Sequence, residues 1–372
     1  MARAGPALTV DPAAAMTRLL PSSGIAASPA ERPKSERSLV FEPFRARFPW
    51  LGPHLQSMRN PLLPSPRLPG GPGRPLALPL GDGDVLSARV DDPAERDPAW
   101  PAIVLLHGLG GCETSSYVLH ASRFFTGVGA RVVRLSLRGA GPSQRTCRDW
   151  SHAGRYPDVA AFVPQLPATA SGLVLVGFSL GGNLLLDYLA LAAVDQRVRA
   201  AVSVSAPIDL PAASVAIHAQ RNWIYHDYLL RALKANYLHP WTSLRPDECE
   251  AVRRCRTLFE VDDRITAPRH GFTGADDYYR RVSAAQHLPA IGTPTALLHA
   301  ADDPFIPAAA YHSIRPSPAL MVGLARGGGH LGFHGKGGFW HLRQIVRFLQ
   351  VLDIVPQRGP AEPVTVPTAA AV

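Results

Sequence analysis

The sequence predicts an α/β protein: a mostly parallel central sheet flanked by helices, with a helical insertion. Three observations predict it. Between 77 and 205, short β-rich apolar runs alternate with segments at helical spacing, the pattern of βαβ units, whose crossovers make neighbouring strands parallel. From 208 to about 290 the alternation stops, and strands resume only after it. At 173–193, "LVLVGFSLGGNLLLDYLALAA" sets one serine between an apolar strand and a leucine-rich helix.

Taken in chain order, residues 1–38 are rich in Ala, Pro and Ser and too poor in large apolar side chains to offset ordering entropy, so a disordered tail is expected. "FEPFRARFPWLGPHLQSMRNPL" at 41–62 carries the aromatics of an ordered arm, and "PSPRLPGGPGRP" is a loop. "PAIVLL" (101–106) and "ARVVRL" (130–135) are strands, separated by a helix near 116–127 and followed by one near 156–165. Leu173–Val176 is the next strand, and its helix follows with Leu184, Leu185, Tyr188, Leu189 and Ala192 on one stripe. After "AAVSVSAP" (200–207), the insertion reads as helices in "AIHAQRNWIYHDYLLRALKANYL" and "DDYYRRVSAAQHL", a cap over the carboxyl edge of the sheet. "TPTALLHA" (293–300) and "ALMVGL" (319–324) complete the sheet, and "FWHLRQIVRFLQVL" is a closing amphipathic helix. The expected organisation is one domain over 39–356, with its cap at about 208–290 and a second disordered tail over 357–372.

Composition narrows the classes of function. A chain of 372 residues, 46% hydrophobic, buries a large core. No run of 18 apolar residues spans a bilayer and no secretory signal is evident, so a cytoplasmic location is expected. The four cysteines are scattered without zinc-site spacing; free thiols, no metal and no cofactor are expected. The net charge of +9 comes from 35 Arg and 3 Lys spread along the chain, so no nucleic acid is expected as partner, and peripheral membrane contact is left open.

Ser179 lies in Gly-x-Ser-x-Gly at a strand-to-helix turn, where the strained nucleophile must be flanked by Gly177 and Gly181 because neighbouring strand and helix leave no room for side chains. A serine hydroxyl needs a base to take its proton and a third group to orient that base. In this motif's fold they follow in the order Ser, acid, His. "LLHAADDPFIP" offers Asp302 and Asp303 just past a strand, and position alone does not separate them. The base is His330 in "ARGGGHLGF", where glycines permit close approach; His334 is the nearest alternative, His299 falls in a strand and His341 on the last helix. Backbone N–H groups of Leu180 and of Leu109, in "LLHGLGG", suit an oxyanion hole, with His107 and Gly108 shaping the turn.

Together these stretches resemble the YheT-like bacterial α/β-hydrolases, relatives of the eukaryotic abhydrolase-domain phospholipases, from about Phe41 to Leu352. The matching segments are "HGLGGCETSSYV" at 107, "LRGAGPS" at 137, "HAGRYPDV" at 152, "GFSLGGNLLL" at 177, "SAPIDL" at 205, "ITAPRHGF" at 265, "DDYYRRVSA" at 276, "ADDPFIP" at 301 and "GGHLGF" at 328. The resemblance implies the α/β-hydrolase fold with a helical cap. It also implies a triad of Ser179, Asp303 and His330, the acid being the one four residues ahead of the second proline in Asp303-Pro304-Phe305-Ile306-Pro307. The implied function is a serine hydrolase of carboxylic esters that works through an acyl-enzyme, acting on a small-molecule acyl ester or lipid. An acyltransferase with the same triad and a non-catalytic binding module on this scaffold are the alternatives. In "HAGRYPDV" the family more often has Ser or Thr and an acidic residue before the Asp, a departure that leaves the triad untouched.

Overall fold

The strands from Ala102 onward have apolar side chains at nearly every position, as a sheet covered on both faces requires. The computed structural model describes residues 41–315 and 317–357. The tail expected over 1–38, and all of that expected over 357–372 except Gln357, lie outside the described residues. One eight-stranded sheet runs β1 (Arg74–Pro79), β2 (Val85–Asp91), β3 (Ala102–Leu106), β4 (Val132–Ser136), β5 (Leu173–Phe178), β6 (Val198–Val204), β7 (Thr295–Ala300) and β8 (Leu320–Ala325) in the spatial order β1-β2-β4-β3-β5-β6-β7-β8. Strands β3 to β8 pair in parallel, whereas β1–β2 and β2–β4 are antiparallel.

Period-two alternation divides the core between the two faces. Val104, Leu106, Val133, Leu135, Leu175 and Leu297 enter one cluster, with the helix after β5 and the insertion. Ile103, Leu105, Val132, Val174, Val176 and Leu298 enter the other, with Phe125 and the C-terminal helix Trp340–Val351. The antiparallel pair β1–β2 is the part of the sheet not anticipated from sequence. In β2 Leu86, Ala88 and Val90 are buried while Ser87 and Arg89 are not, so its alternation is that of a strand near an edge.

Four of the expected helices form close to their expected places: α2 (Ser116–Gly127), α3 (Tyr156–Phe162), α4 (Leu180–Leu191) and the closing helix. The arm is more than an ordered segment, since α1 (Gly52–Leu62) is helical. Between β6 and β7, where no strand occurs among the described residues, run α5 (Leu210–His218), α6 (Trp223–Tyr237), α7 (Pro246–Arg254) and shorter helical turns. Asp209 caps α5 by accepting from the Ala212 N–H at 3.0 Å. The "LRGAGPS" and "HAGRYPDV" stretches meet in a structural lock: Arg138 Nε and Nη2 donate to the two carboxylate oxygens of Asp158 at 2.9 and 2.8 Å, and Nη1 reaches Asp84. A bidentate guanidinium–carboxylate pair fixes both loops after β4 to the turn before β2. All four cysteines are free. Among the described residues no helix is long and apolar enough to cross a membrane.

Candidate active site

Ser179 sits between β5 and α4 at φ 51°, ψ −121°, a strained conformation for a non-glycine residue. The glycines around it are dictated by space. A Cβ on Gly177 would lie 2.4 Å from the Gly181 carbonyl oxygen, and one on Gly181 would lie 2.5 Å from the His107 carbonyl oxygen. A Cβ on Gly108 would stand 2.8 Å from the Cβ of Ser179 itself.

The structure brings Ser179, His330 and Asp303 into one chain of hydrogen bonds. His330 Nε2 is 3.1 Å from Ser179 Oγ, and His330 Nδ1 is 2.7 Å from Asp303 Oδ2. The other oxygen of Asp303 accepts from the backbone N–H groups of Phe305 (3.1 Å) and Ile306 (3.0 Å), which orients the carboxylate. Asp302, the neighbour that position could not distinguish, serves the loop instead. Its Oδ1 accepts from the Gly329 N–H at 2.8 Å and braces the segment carrying His330. Burial raises the Asp302 carboxyl above the usual range.

The other histidines lie elsewhere. His299 stacks on Tyr311 with ring centroids 4.1 Å apart and meets the Ile306 carbonyl at 3.1 Å. His341 and His334 are buried, His341 against Phe333 and Phe339 and His334 against Phe339. His107 bonds at Nδ1 to the Gly108 carbonyl (2.8 Å) and accepts the Leu137 N–H at Nε2 (3.0 Å), so it is neutral and splints the turn; burial pushes it down to about 4. Tyr117 completes that splint by accepting the Gly108 N–H at 2.9 Å. Leu109 and Leu180 both border the space above Ser179.

The sequence offered no sign that α1 clamps the His330 loop. Ser57 Oγ accepts from the His330 N–H (2.8 Å) and donates to the Pro53 carbonyl (2.7 Å). Asn60 Nδ2 donates to the Leu331 carbonyl at 3.0 Å, and Gln56 pairs with both the N–H and the carbonyl of His334 at 2.7 and 3.1 Å. These contacts span more than 270 residues of chain.

Ser179 and His330 open into a cavity of about 400 Å3, within the range of small-molecule sites. Its walls are mainly apolar: Leu210, Ala213, Ile217, Leu229 and Leu233 from α5 and α6, Phe305 and Ile306 from the acid loop, Met58 and Pro61 from α1. Of the aromatic residues in the insertion, Tyr225, Tyr228, Tyr237, Tyr278 and Tyr279 border the cavity, while Trp223 is 62% exposed. Among the described residues no group of three or more His, Cys, Asp or Glu side chains is placed to hold a metal ion.

Comparison with known proteins places the fold in a family. The family described as alpha/beta hydrolase fold matches residues 101–336. The chain is 35% identical over 269 residues to the candidate esterase YheT of Escherichia coli (strain K12), covering 69% of this chain and 78% of that one. It is 31% identical over 240 residues to the phospholipase ABHD3 of Mus musculus, covering 63% of this chain and 58% of that one, less than two thirds of the relative's length. Among solved structures, the Pyrococcus furiosus esterase Pf2001 aligns with a TM-score of 0.50 at 14% identity over 77% of this chain and 98% of that one, a likeness of fold.

Proposed function

The chain belongs to the α/β-hydrolase family, among the relatives of YheT and the ABHD3 phospholipases, and from that premise we propose that it hydrolyses carboxylic acyl esters through Ser179, His330 and Asp303. The observation that carries the reading is the hydrogen-bonded chain from Ser179 Oγ through the imidazole to Asp303, set in an apolar cavity. Ser179 Oγ attacks the ester carbonyl carbon while His330 Nε2 takes its proton; Asp303 stabilises the resulting imidazolium through Nδ1. The oxyanion receives backbone N–H groups of Leu180 and Leu109, neither of which needs a polar side chain. Collapse expels the alcohol, which takes the proton from His330, and leaves an acyl-enzyme. Water, deprotonated by His330, then releases the acid and restores Ser179.

The apolar wall from α5 and α6 supports an acyl chain of medium or greater length as the substrate's tail. Each buried methylene contributes up to about 0.8 kcal/mol, about fourfold per carbon until the wall is covered. The cavity rim supports peripheral contact with a lipid surface. Ile224 and Tyr228 border the cavity and are 51% and 61% exposed; Leu55 and Leu62 of α1 and Trp223 are exposed beside them, and His54 bonds to Tyr225 to join the two helices. Arg47, ahead of α1, and Arg221, ahead of α6, are exposed, while Arg231 of α6 pairs with Asp227; the two guanidinium groups unpaired among the described residues suit an anionic surface. A fluorophosphonate probe tests the hydrolase reading: the wild type is labelled and Ser179→Ala is not, and labelling of Ser179→Ala at full strength refutes it. Co-sedimentation with anionic vesicles tests the rim: Trp223→Ser with Leu55→Ser lowers binding, and unchanged binding refutes that part.

A further inference from the structure

One carboxyl in the cavity is not used by this chemistry. Asp262 borders the same space as Ser179, in a wide helical turn at Asp262–Thr266 where the Ala267 N–H bonds back to the Asp262 carbonyl. Such i→i+5 turns are uncommon and concentrate at functional sites. Its carboxyl accepts from Tyr279 OH at 2.7 Å, and the Thr266 hydroxyl of the same turn lies 3.0 Å from Tyr237 OH. Among the described residues no Lys, Arg or His pairs with it within 4 Å. An ionised carboxylate has about four acceptor positions, so this half-buried carboxylate, with no cation beside it, keeps capacity for a further donor. Beside it Tyr278 OH accepts the Ala153 N–H at 2.8 Å and keeps its own proton to give. Leu180, the residue after Ser179, packs against the cluster that contains Tyr278 and Tyr279 and lines the same cavity, so this polar end shares the space of the reacting centre. Burial lifts the Asp262 carboxyl to about 6, which leaves most of it ionised at neutral pH.

Resting on the ester-hydrolase reading above, we propose that Asp262 and Tyr278 form a polar subsite that receives a hydrogen-bond-donating group of the substrate, a hydroxyl or amine separated from the ester by a few bonds. The preferred ester is then one whose alcohol or acyl part carries such a donor, with the apolar wall taking the remainder. A site built to bond a polar group rejects the analogue lacking it, because its own buried groups are left unpaired.

Two isosteric pairs test this with the full chain. On the alcohol side, 2-hydroxyethyl butanoate is compared with propyl butanoate; on the acyl side, methyl 6-hydroxyhexanoate is compared with methyl heptanoate. In each pair a hydroxyl replaces a methyl. The expected result is that the wild type prefers the hydroxylated member of one pair by at least tenfold in kcat/KM, and that Asp262→Asn lowers that ratio by about tenfold as a charged acceptor becomes neutral. Tyr278→Phe is the second variant, for use where Asp262→Asn fails to fold, and it lowers the same ratio several-fold. The pair that shows the preference tells which side of the ester enters the subsite. Absence of preference in both pairs, or an Asp262→Asn variant that loses both members of a pair equally, overturns the subsite while leaving the hydrolase reading intact. Absence of turnover and of fluorophosphonate labelling in the wild type overturns both.

Discussion

Replacing Gln56 by alanine tests whether α1 holds the histidine in place. Gln56 is 1% exposed and makes three hydrogen bonds: Nε2 to the carbonyls of Trp50 (2.5 Å) and His334 (3.1 Å), and Oε1 from the His334 N–H (2.7 Å). Alanine leaves the buried N–H of His334 without its partner, at about 1–3 kcal/mol, the lower end applying where water fills the vacated volume, while the His334 carbonyl keeps the Arg47 N–H at 3.1 Å. The loop also depends on positive φ at Leu331 (57°) and Phe333 (51°), a conformation that persists only when its surroundings enforce it. Once that enforcement is gone His330 drifts, and a misplacement of about 1 Å is enough to cost roughly a hundredfold in rate. Urea denaturation measures the first effect and ester turnover at saturating substrate measures the second. A variant that loses stability as expected but keeps wild-type kcat refutes the clamp, because the bonds would then serve the fold alone.

Other outcomes follow from the same geometry. Asp303→Asn lowers turnover by about 10⁴-fold, the scale seen when a triad aspartate is neutralised, whereas Asp302→Asn, which touches only the Gly329 N–H, costs far less; steady-state kinetics that rank them the other way refute the assignment. Ser179→Gly abolishes turnover yet melts no lower than wild type, since glycine accepts φ 51° without strain of about 1–3 kcal/mol; a lower Tm by calorimetry contradicts the strain argument. Gly181→Ala places a methyl 2.5 Å from one backbone oxygen and 2.7 Å from another, so soluble yield and turnover both collapse; an active, well-expressed variant is incompatible with the turn described. For pH, burial lowers His107 and His299 to about 4 and His341 to about 3, below their unfolded value near 6.5. The unfolded chain therefore binds more protons, and stability present above pH 6.5 is lost on acidification toward 4, at about 1.4 kcal/mol per pH unit for each histidine. Asp187 and Asp262, raised to about 6 by burial, oppose this below pH 6 without cancelling three histidines; stability that rises on going from pH 6.5 to 5 in urea titrations refutes the balance.

The Ser179 turn was legible because its requirements are local. Gly177 and Gly181 are needed by backbone atoms only a few residues or one strand away, and the apolar run before and stripe after them carry their own periods. By position alone the acid was legible only to a pair, since Asp302 and Asp303 follow the same strand and differ by which way one turn points them; the family resemblance was what singled out Asp303. Helices in the insertion were readable from period, but their breaks were not: Ala219 is extended and splits α5 from α6 inside one continuous helical pattern. Strand β2 was missed because polar Ser87 and Arg89 alternate with small apolar residues near the edge of the sheet. Nothing in the sequence near Gln56, Ser57 or Asn60 points to residues 330–334, and nothing near Asp262 announces the wide turn that sets it in the cavity. Such features depend on partners distant along the chain, for which a single sequence has no period.

The clamp by α1 also orders events in time. The bond from the His330 N–H to Ser57 joins residues 273 apart, while the imidazole and its acid are 27 apart and the imidazole and serine 151. Closing the longest of these loops carries the largest entropic cost, though it grows only slowly with length. During synthesis the arm leaves the ribosome before any strand of the sheet, with Gln56 and Asn60, buried in the finished fold, still without their partners. Its docking site is complete only when the loop after β8 has been made. Placement of the imidazole in a growing chain thus waits for the loop after β8, however early the arm and the serine turn are made.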